Sequence, residues 1–266
     1  MYAEYWNLKL LPFENAPDPK FFFESHSHTE AVTRLLFSIQ TRKAMALITG
    51  DYGSGKTVLC QTVIGRLDPN QHKIALVTNP RMDAIDITRE IAYQLGEDIK
   101  TRSKYDVLHA FNNLLDRHHA AGRHCAAIVD EAQLVNDPAA LDDLRLLLNH
   151  QVAGQFLMTL VLVGQTELND MLRPIPQMTQ RIGLRFHIPH LDASQVRPYM
   201  AHRMATAGGD MKIFTAEAIS EVERLSKGNP REINALCDMA LLTASLSSAS
   251  QVTREHVADA GRERAT

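Results

Sequence analysis

The chain has 266 residues, of which 45% are hydrophobic and 22% charged, with a net charge of −3. That length and balance are those of an ordinary globular protein with one large core, or one core and a small satellite, and they exclude a global attraction to nucleic acid. The start, Met1-Tyr2-Ala3-Glu4-Tyr5-Trp6, lacks the basic and apolar regions of a signal peptide, and the longest apolar run, Phe156 to Val163, is too short to cross a bilayer. The first forty residues form a distinct aromatic lead-in: Tyr5-Trp6, Pro12-Phe13, a helix-breaking Pro17-Asp18-Pro19, then Phe21-Phe22-Phe23. These aromatics fit packing on a core better than one wall of an adenine pocket. Ser27, with Glu30 three residues on, reads as the cap of a helix carrying Leu35, Leu36 and Ile39. His26 and His28 have no third ligand nearby in sequence, so they read as polar groups of a turn rather than a metal site.

An apolar run, Ala44-Met45-Ala46-Leu47-Ile48, then predicts a buried strand, and it leads into Gly50-Asp51-Tyr52-Gly53-Ser54-Gly55-Lys56-Thr57. This stretch fits the phosphate-binding pattern G-x-x-x-x-G-K-[ST]; Val58 continues it into a helix marked by Leu59, Val63 and Ile64. Glycines let such a loop curl until several N–H groups point at one phosphate, and the helix adds its positive end. Lys56 is the residue to reach the β- and γ-phosphates of ATP, and the Thr57 hydroxyl the one to ligate Mg²⁺.

Lys73 to Thr78 predicts a second strand, and two helices follow, one closed by Gly96 and one ending at Arg117-His118-His119. The run Cys125-Ala126-Ala127-Ile128-Val129 leads directly into Asp130-Glu131-Ala132-Gln133. An acid pair at a strand end suits nucleotide hydrolysis: Asp130 for the Mg²⁺ hydration shell, Glu131 to orient and deprotonate the attacking water. Phe156 to Val163 predicts a fourth strand, ending in Gly164-Gln165-Thr166-Glu167, where Gln165 is a candidate contact to the γ-phosphate or water, against a structural turn. Leu184 to Ile188 predicts a fifth strand, with Arg173, Arg181 and Arg185 around it. From Asp192 the pattern is helical only, which predicts a small second domain. Cys60, Cys125 and Cys237 are scattered and read as small buried residues of a reducing compartment, hence the cytoplasm.

With these parts placed, the chain resembles the AAA+ ATPases, and within them the ExeA/GspA-type (general secretion pathway protein A) group and its relatives MuB, TnsC and TniB, which serve transposases. The lead-in Met1-Tyr2…Tyr5…Leu8…Pro12-Phe13…Pro17-Asp18-Pro19…Phe21…His28…Glu30-Ala31 is similar to that group's, as are Gly164-Gln165-Thr166-Glu167-Leu168 (usually GQPEL, with Thr166 replacing proline), Gln180-Arg181-Ile182 and Gly228-Asn229-Pro230-Arg231-Glu232-Ile233-Asn234. The resemblance implies a five-stranded parallel sheet ordered 5-1-4-3-2, flanked by helices, with a small all-α lid. It divides the chain into a lead-in packed on the ATPase core (1–40), the P-loop α/β core (41–190) and the lid (191–266). It makes Gln165 sensor 1, Arg231 sensor 2, and a neighbouring subunit's arginine the finger: Arg181 by position, with Arg173 and Arg185 open. Members of the group continue into a membrane span and a periplasmic peptidoglycan-binding region, so the resemblance reads this chain as an excised cytoplasmic domain or a short member.

The expected activity is Mg²⁺-dependent ATP hydrolysis in a homo-oligomeric ring or filament that drives assembly of a secretion or pilus-type envelope system through protein partners. The alternative is a regulator that coats duplex DNA and recruits a transposase; Arg81, Arg89, Arg102 and Lys104 are too thin a basic run to choose it. A small-molecule kinase is disfavoured by Glu131 and the helical lid. Two substitutions separate the roles. Lys56→Ala removes charge from ground-state phosphates and weakens ATP binding. Glu131→Gln keeps binding and lowers turnover by about 10²-fold or more. Calorimetric titration and phosphate release measure the two effects, and wild-type turnover in Glu131→Gln removes Glu131 from the chemistry.

Overall fold

The computed structural model describes residues 2–135 and 137–264. The chain folds into two compact units: Thr29–Asp51 with Leu59–Ile188, and Met1–His28 with Tyr52–Val58 and Pro189–Thr266.

The first unit is built on a parallel sheet of β1 (Met45–Gly50), β2 (His72–Val77), β3 (His124–Val129), β6 (Met158–Gly164) and β7 (Ile182–Ile188), in the order β2-β3-β6-β1-β7. Numbered by their place among the five, these strands run 2-3-4-1-5, the expected order read from the other edge. Strands β1, β3 and β6 are buried at every residue, as a parallel strand covered on both faces must be, whereas edge strand β7 alternates. Between β2 and β3 run α4 (Ala84–Gln94) and α5 (Lys104–Ala120), each started by a side-chain cap: Asp83 accepts from Asp86 N at 2.8 Å, and Ser103 from Asp106 N. Ile87, Ile91, Phe111 and Leu115 are among the fully buried residues of their inner faces.

Several boundaries shift by a residue or two, the fifth strand starting at Ile182 rather than Leu184, and two differ for a structural reason. The strand expected from Phe156 begins at Met158, because Phe156 belongs to a short hairpin of β4 (Gln151–Val152) and β5 (Gln155–Phe156). Its turn is Ala153-Gly154, with φ of 50° and 74°, the left-handed pair that a two-residue hairpin requires. Helix α2 (His26–Gln40) is capped by Ser25 rather than Ser27: Ser25 Oγ accepts the His28 N–H at 3.3 Å, while Glu30 pairs with Arg34 one turn on. All three cysteines are buried thiols outside any disulfide, and burial raises the Cys125 thiol to about 12. No helix among the described residues is long and apolar enough to cross a membrane.

In the second unit, α9 (Ala193–Thr206), α10 (Ala216–Ser226), α11 (Pro230–Leu246) and α12 (Arg254–Glu263) share one core with the lead-in. Tyr2, Leu8 and Phe13 are buried among Met200, Phe214, Ile233 and Leu241 of those helices. Polar ties fix the segment: the Trp6 indole donates to Leu241 O at 3.0 Å, and the Tyr2 hydroxyl to Asp238. Arg203, 6% exposed, donates to Pro12 O and Glu14 O and lies over the Phe21 ring at 4.7 Å. Its buried charge is therefore met by carbonyl dipoles and an aromatic face.

The turn into α11 is held by Gly228, whose carbonyl accepts from Leu191 N at 3.0 Å. Gly228 has φ +75°, and a Cβ there would lie 1.8 Å from Leu191 O. Gly228→Ala is therefore expected to destabilise the chain by about 3 kcal/mol or more, since it combines a left-handed backbone with a backbone clash. The check is a thermal melt, with a drop of roughly 6 °C or more; an unchanged melt contradicts the tight approach of these two backbones.

Candidate functional site

Parallel pairing puts the C-terminal ends of all five strands at one edge of the sheet. Register pairs Thr49 of β1 with Gly164 of β6, and Val129 of β3 with Leu162 of β6. Asp130 directly follows β3, is buried, and donates its backbone N–H to Val77 O at 2.9 Å. Its Oδ1 accepts the Glu131 N–H at 2.9 Å. Glu131 has φ 51° and ψ 38°, a left-handed conformation that costs a non-glycine residue about 1–2 kcal/mol.

Sequence reasoning missed what secures that conformation. Gln133 Nε2 donates to Glu131 Oε2 at 2.5 Å, and its Oε1 accepts the Gln165 N–H at 3.0 Å. One amide thus ties the Glu131 carboxylate to the backbone of the next strand's end. Gly164 is part of this fit, because a Cβ on it would lie 2.5 Å from Gln133 Oε1. Gln165, read as a side-chain contact or a turn, enters this chain through its backbone N–H. The available signal was the spacing Asp-Glu-x-Gln, which sets an amide two residues beyond the acid.

The phosphate-loop residues Tyr52–Val58 belong to the other unit, where the lead-in and the C-terminal helices hold them. The loop takes positive φ at Gly53 (80°) and Gly55 (90°), then enters α3 (Lys56–Arg66). On one side lies His28, 5% exposed. Its Nε2 is 2.8 Å from Ser54 O and its Nδ1 2.7 Å from Ser25 Oγ, with the Phe22 ring edge-on at 5.8 Å. Burial lowers its pKa, outweighing the opposite pull of the Ser54 carbonyl. On the other side, Asn229 Nδ2 donates to Tyr52 O at 3.0 Å and its Oδ1 caps Arg231 N. The Arg231 guanidinium lies over the Tyr52 ring at 4.8 Å and donates to its hydroxyl. A Cβ on Gly53 would sit 2.4 Å from Asn229 Oδ1.

These residues fit a phosphate group. Two left-handed glycines in three residues curl the backbone into a nest of N–H groups, and the loop opens into the positive end of an 11-residue helix. The Ser54 hydroxyl is buried with no protein partner among the described residues. Lys56 is buried, and Thr57 is the next residue of the same first turn. Taken separately, the Thr57 hydroxyl at the helix start and the Asp130 carboxylate at the end of β3 are oxygen donors of the kind that Mg²⁺ accepts.

The three arginines considered as a finger differ in exposure. Arg181 is the most enclosed: its Nη2 donates to Asn149 Oδ1 at 2.6 Å, and burial, then repulsion from Arg145, lowers its pKa. Arg173 is exposed and paired with Asp170 at 2.8 Å. Arg185, exposed on β7, lines a cavity of about 240 Å³ with Thr49, Asn169 and His187.

Residues 39–172 match the AAA domain family. The chain is 36% identical over 252 residues, 92% of its length, to general secretion pathway protein A of Aeromonas hydrophila, and it spans 45% of that relative. Among solved structures it resembles the Aeropyrum pernix ORC2 protein with a TM-score of 0.73 at 18% identity, over 95% of this chain and 70% of that one. Drosophila ORC bound to DNA also gives 0.73, at 18% identity over 96% and 64%. The Thermotoga maritima RuvB Holliday junction branch migration motor gives 0.58, at 16% identity over 90% and 69%. Identities this low speak for a shared fold alone.

The Tyr52–Arg231 contact is open to a double-mutant cycle. Tyr52→Ala and Arg231→Ala are each expected to cost about 0.5–1 kcal/mol, and the double variant no more than the larger single loss. Losing the ring contact offsets the few tenths of a kcal/mol regained by removing a cation from a helix start. Urea unfolding of the four proteins measures the coupling, and additive losses mean that the two side chains do not interact.

Proposed function

We propose that this chain, which belongs to the AAA domain family, binds MgATP on the loop Gly50–Val58 and hydrolyses it where copies of the chain meet. The work so released drives assembly of a secretion or pilus-type envelope system. What carries the reading is the phosphate loop: a G-x-x-x-x-G-K-T sequence with Gly53 and Gly55 in left-handed geometry, gripped by Asn229 and Arg231 of the C-terminal helices. The 36% identity to a general secretion pathway protein, of which this chain spans 45%, supports the envelope role. The same reading keeps 41–190 as core and 191–266 as lid, but the lead-in, expected to pack on the ATPase core, instead buries Tyr2, Leu8 and Phe13 in the core of the C-terminal helices, and Thr29–Gln40 belongs to the α/β unit.

In this mechanism Lys56 neutralises the β- and γ-phosphates, and Thr57 and Asp130 hold the metal. Hydrolysis forms a bond from water to the γ-phosphorus and breaks its bond to the departing ADP oxygen; Mg²⁺, when bound, would supply positive charge to offset that of the phosphates. Glu131, its carboxylate fixed by Gln133, orients the attacking water and takes its proton. The Gln133–Gln165 hydrogen bond keeps that carboxylate tied to sensor 1. Arg231 reads the third phosphate by exchanging the Tyr52 hydroxyl for an anion. Arg181 acts on a neighbouring copy by giving up its hydrogen bond to Asn149, a net loss of about 1 kcal/mol that an arginine–phosphate pair more than replaces. The DNA-coating alternative draws little from its basic run: Arg81 is exposed, but Arg89, Arg102 and Lys104 are already paired with Asp86, Asp83 and Asp143.

Specific activity is therefore expected to rise with protein concentration, and Arg181→Ala to bind ATP while losing about 10³-fold in rate. Mixing Arg181→Ala with Lys56→Ala restores part of the activity, because some interfaces then contain one intact copy of each part. Phosphate release across a mixing series is the measurement. No recovery in oligomers shown to be mixed removes Arg181 from the neighbour's site.

A further inference from the structure

The lead-in places a buried imidazole directly under the phosphate loop, and its hydrogen bonds leave it only one tautomer. Nε2 faces Ser54 O, which can only accept, so Nε2 carries the proton and donates. Nδ1 is then the acceptor, and the Ser25 hydroxyl donates to it while taking the His28 N–H on its lone pair. Burial favours this neutral form, and the edge of Phe22 closes the ring in. The ring also touches the loop itself: a Cβ on Gly55 would lie 3.2 Å from Nε2, so the approach requires glycine there.

We propose that His28 is a positioning residue of the phosphate loop: by holding the Ser54 carbonyl it turns the Gly55 N–H toward the phosphate. The argument is one of peptide geometry. No cis peptide occurs among the described residues, and in a planar trans unit the C=O and the following N–H point in opposite directions. A loop that presents its N–H groups to an anion must therefore turn carbonyls the other way, and a buried carbonyl needs a donor. His28 supplies that donor for the Ser54–Gly55 peptide. The glycines permit the curl, and the histidine selects one state of it. This inference rests on the nucleotide reading above. It makes the lead-in part of the binding apparatus, acting through the loop without touching substrate.

The test uses the full chain and two substitutions. His28→Gln keeps an amide donor at about the reach of Nε2; His28→Phe keeps a ring and removes the donor. In His28→Phe, the affinities for MgADP and MgATP are expected to fall together by about tenfold or more, the cost of a buried acceptor left unpaired. His28→Gln recovers most of that loss. Without nucleotide, hydrogen exchange at residues 52–58 speeds up in His28→Phe and stays near wild type in His28→Gln. In the wild type, nitrogen NMR of the imidazole shows the neutral Nε2–H form with a slowly exchanging proton, a measurement that does not depend on any variant folding. Wild-type affinity and exchange in His28→Phe overturn the proposal, as does equal damage in both variants, or an Nδ1–H tautomer. Failure of the wild-type chain to bind MgADP or MgATP overturns the nucleotide reading instead, and leaves the exchange and NMR results to judge whether His28 holds the loop.

Discussion

Everything at the sheet edge depends on the parallel register of β3, β6 and β1. Because these strands run the same way and pair without offset from Cys125 to Val129 and from Met45 to Thr49, their chain exits are set side by side. The first exit leads into an acid pair, the second into Gly164-Gln165, and the third into the glycine loop. A one-residue slip would send alternate side chains to the wrong face, and full burial of all three strands makes such a slip costly. The hydrophobic effect thus sets the geometry for polar chemistry.

Two short polar ties then do what the sheet cannot. Glu131 sits in an unfavourable backbone conformation that persists because both its backbone and its carboxylate are held, by Asp130 and by Gln133. His28 and Asn229 treat the glycine loop similarly, one holding the Ser54 carbonyl and the other that of Tyr52. In both places, a segment with several accessible conformations is narrowed to one by donors from elsewhere in the chain. Preorganisation of this kind removes reorganisation cost from the step in which charge develops.

Much of the fold is legible in the residues, for physical reasons that differ by element. Ala44 to Ile48 and Cys125 to Val129 read as strands because strands covered on both faces must be apolar throughout, and the glycine-lysine loop is legible because few sequences curl that way. The hairpin at Ala153-Gly154 is not, since a left-handed alanine breaks the usual turn composition and lets the apolar run appear longer than its strand. His28 lies in a Ser-His-Ser-His tract that looks like a polar turn, and its partner is 26 residues on, so only tertiary structure discloses the contact. Gln133 falls inside a motif yet acts across two strand ends. Arg231 reads as a cation misplaced at a helix start; the aromatic face that receives it, Tyr52, is 179 residues away. Local chemistry announces itself in sequence, and long-range hydrogen bonding does not.

The lead-in's core has a bearing on how the chain is made. Trp6 finds its carbonyl partner 235 residues later, on Leu241, and Tyr2 its carboxylate on Asp238. At about 5–20 residues per second, a ribosome takes roughly 10–50 s to span that interval. For most of it, until Met200 and Phe214 are made, Tyr2, Leu8 and Phe13 have no native surface to cover them, while the α/β layer can already close. An aromatic segment waiting that long invites either a chaperone or a wrong partner. The same delay holds back the grip of Asn229 and Arg231 on the loop, so a truncated nascent chain lacks that half of the clasp.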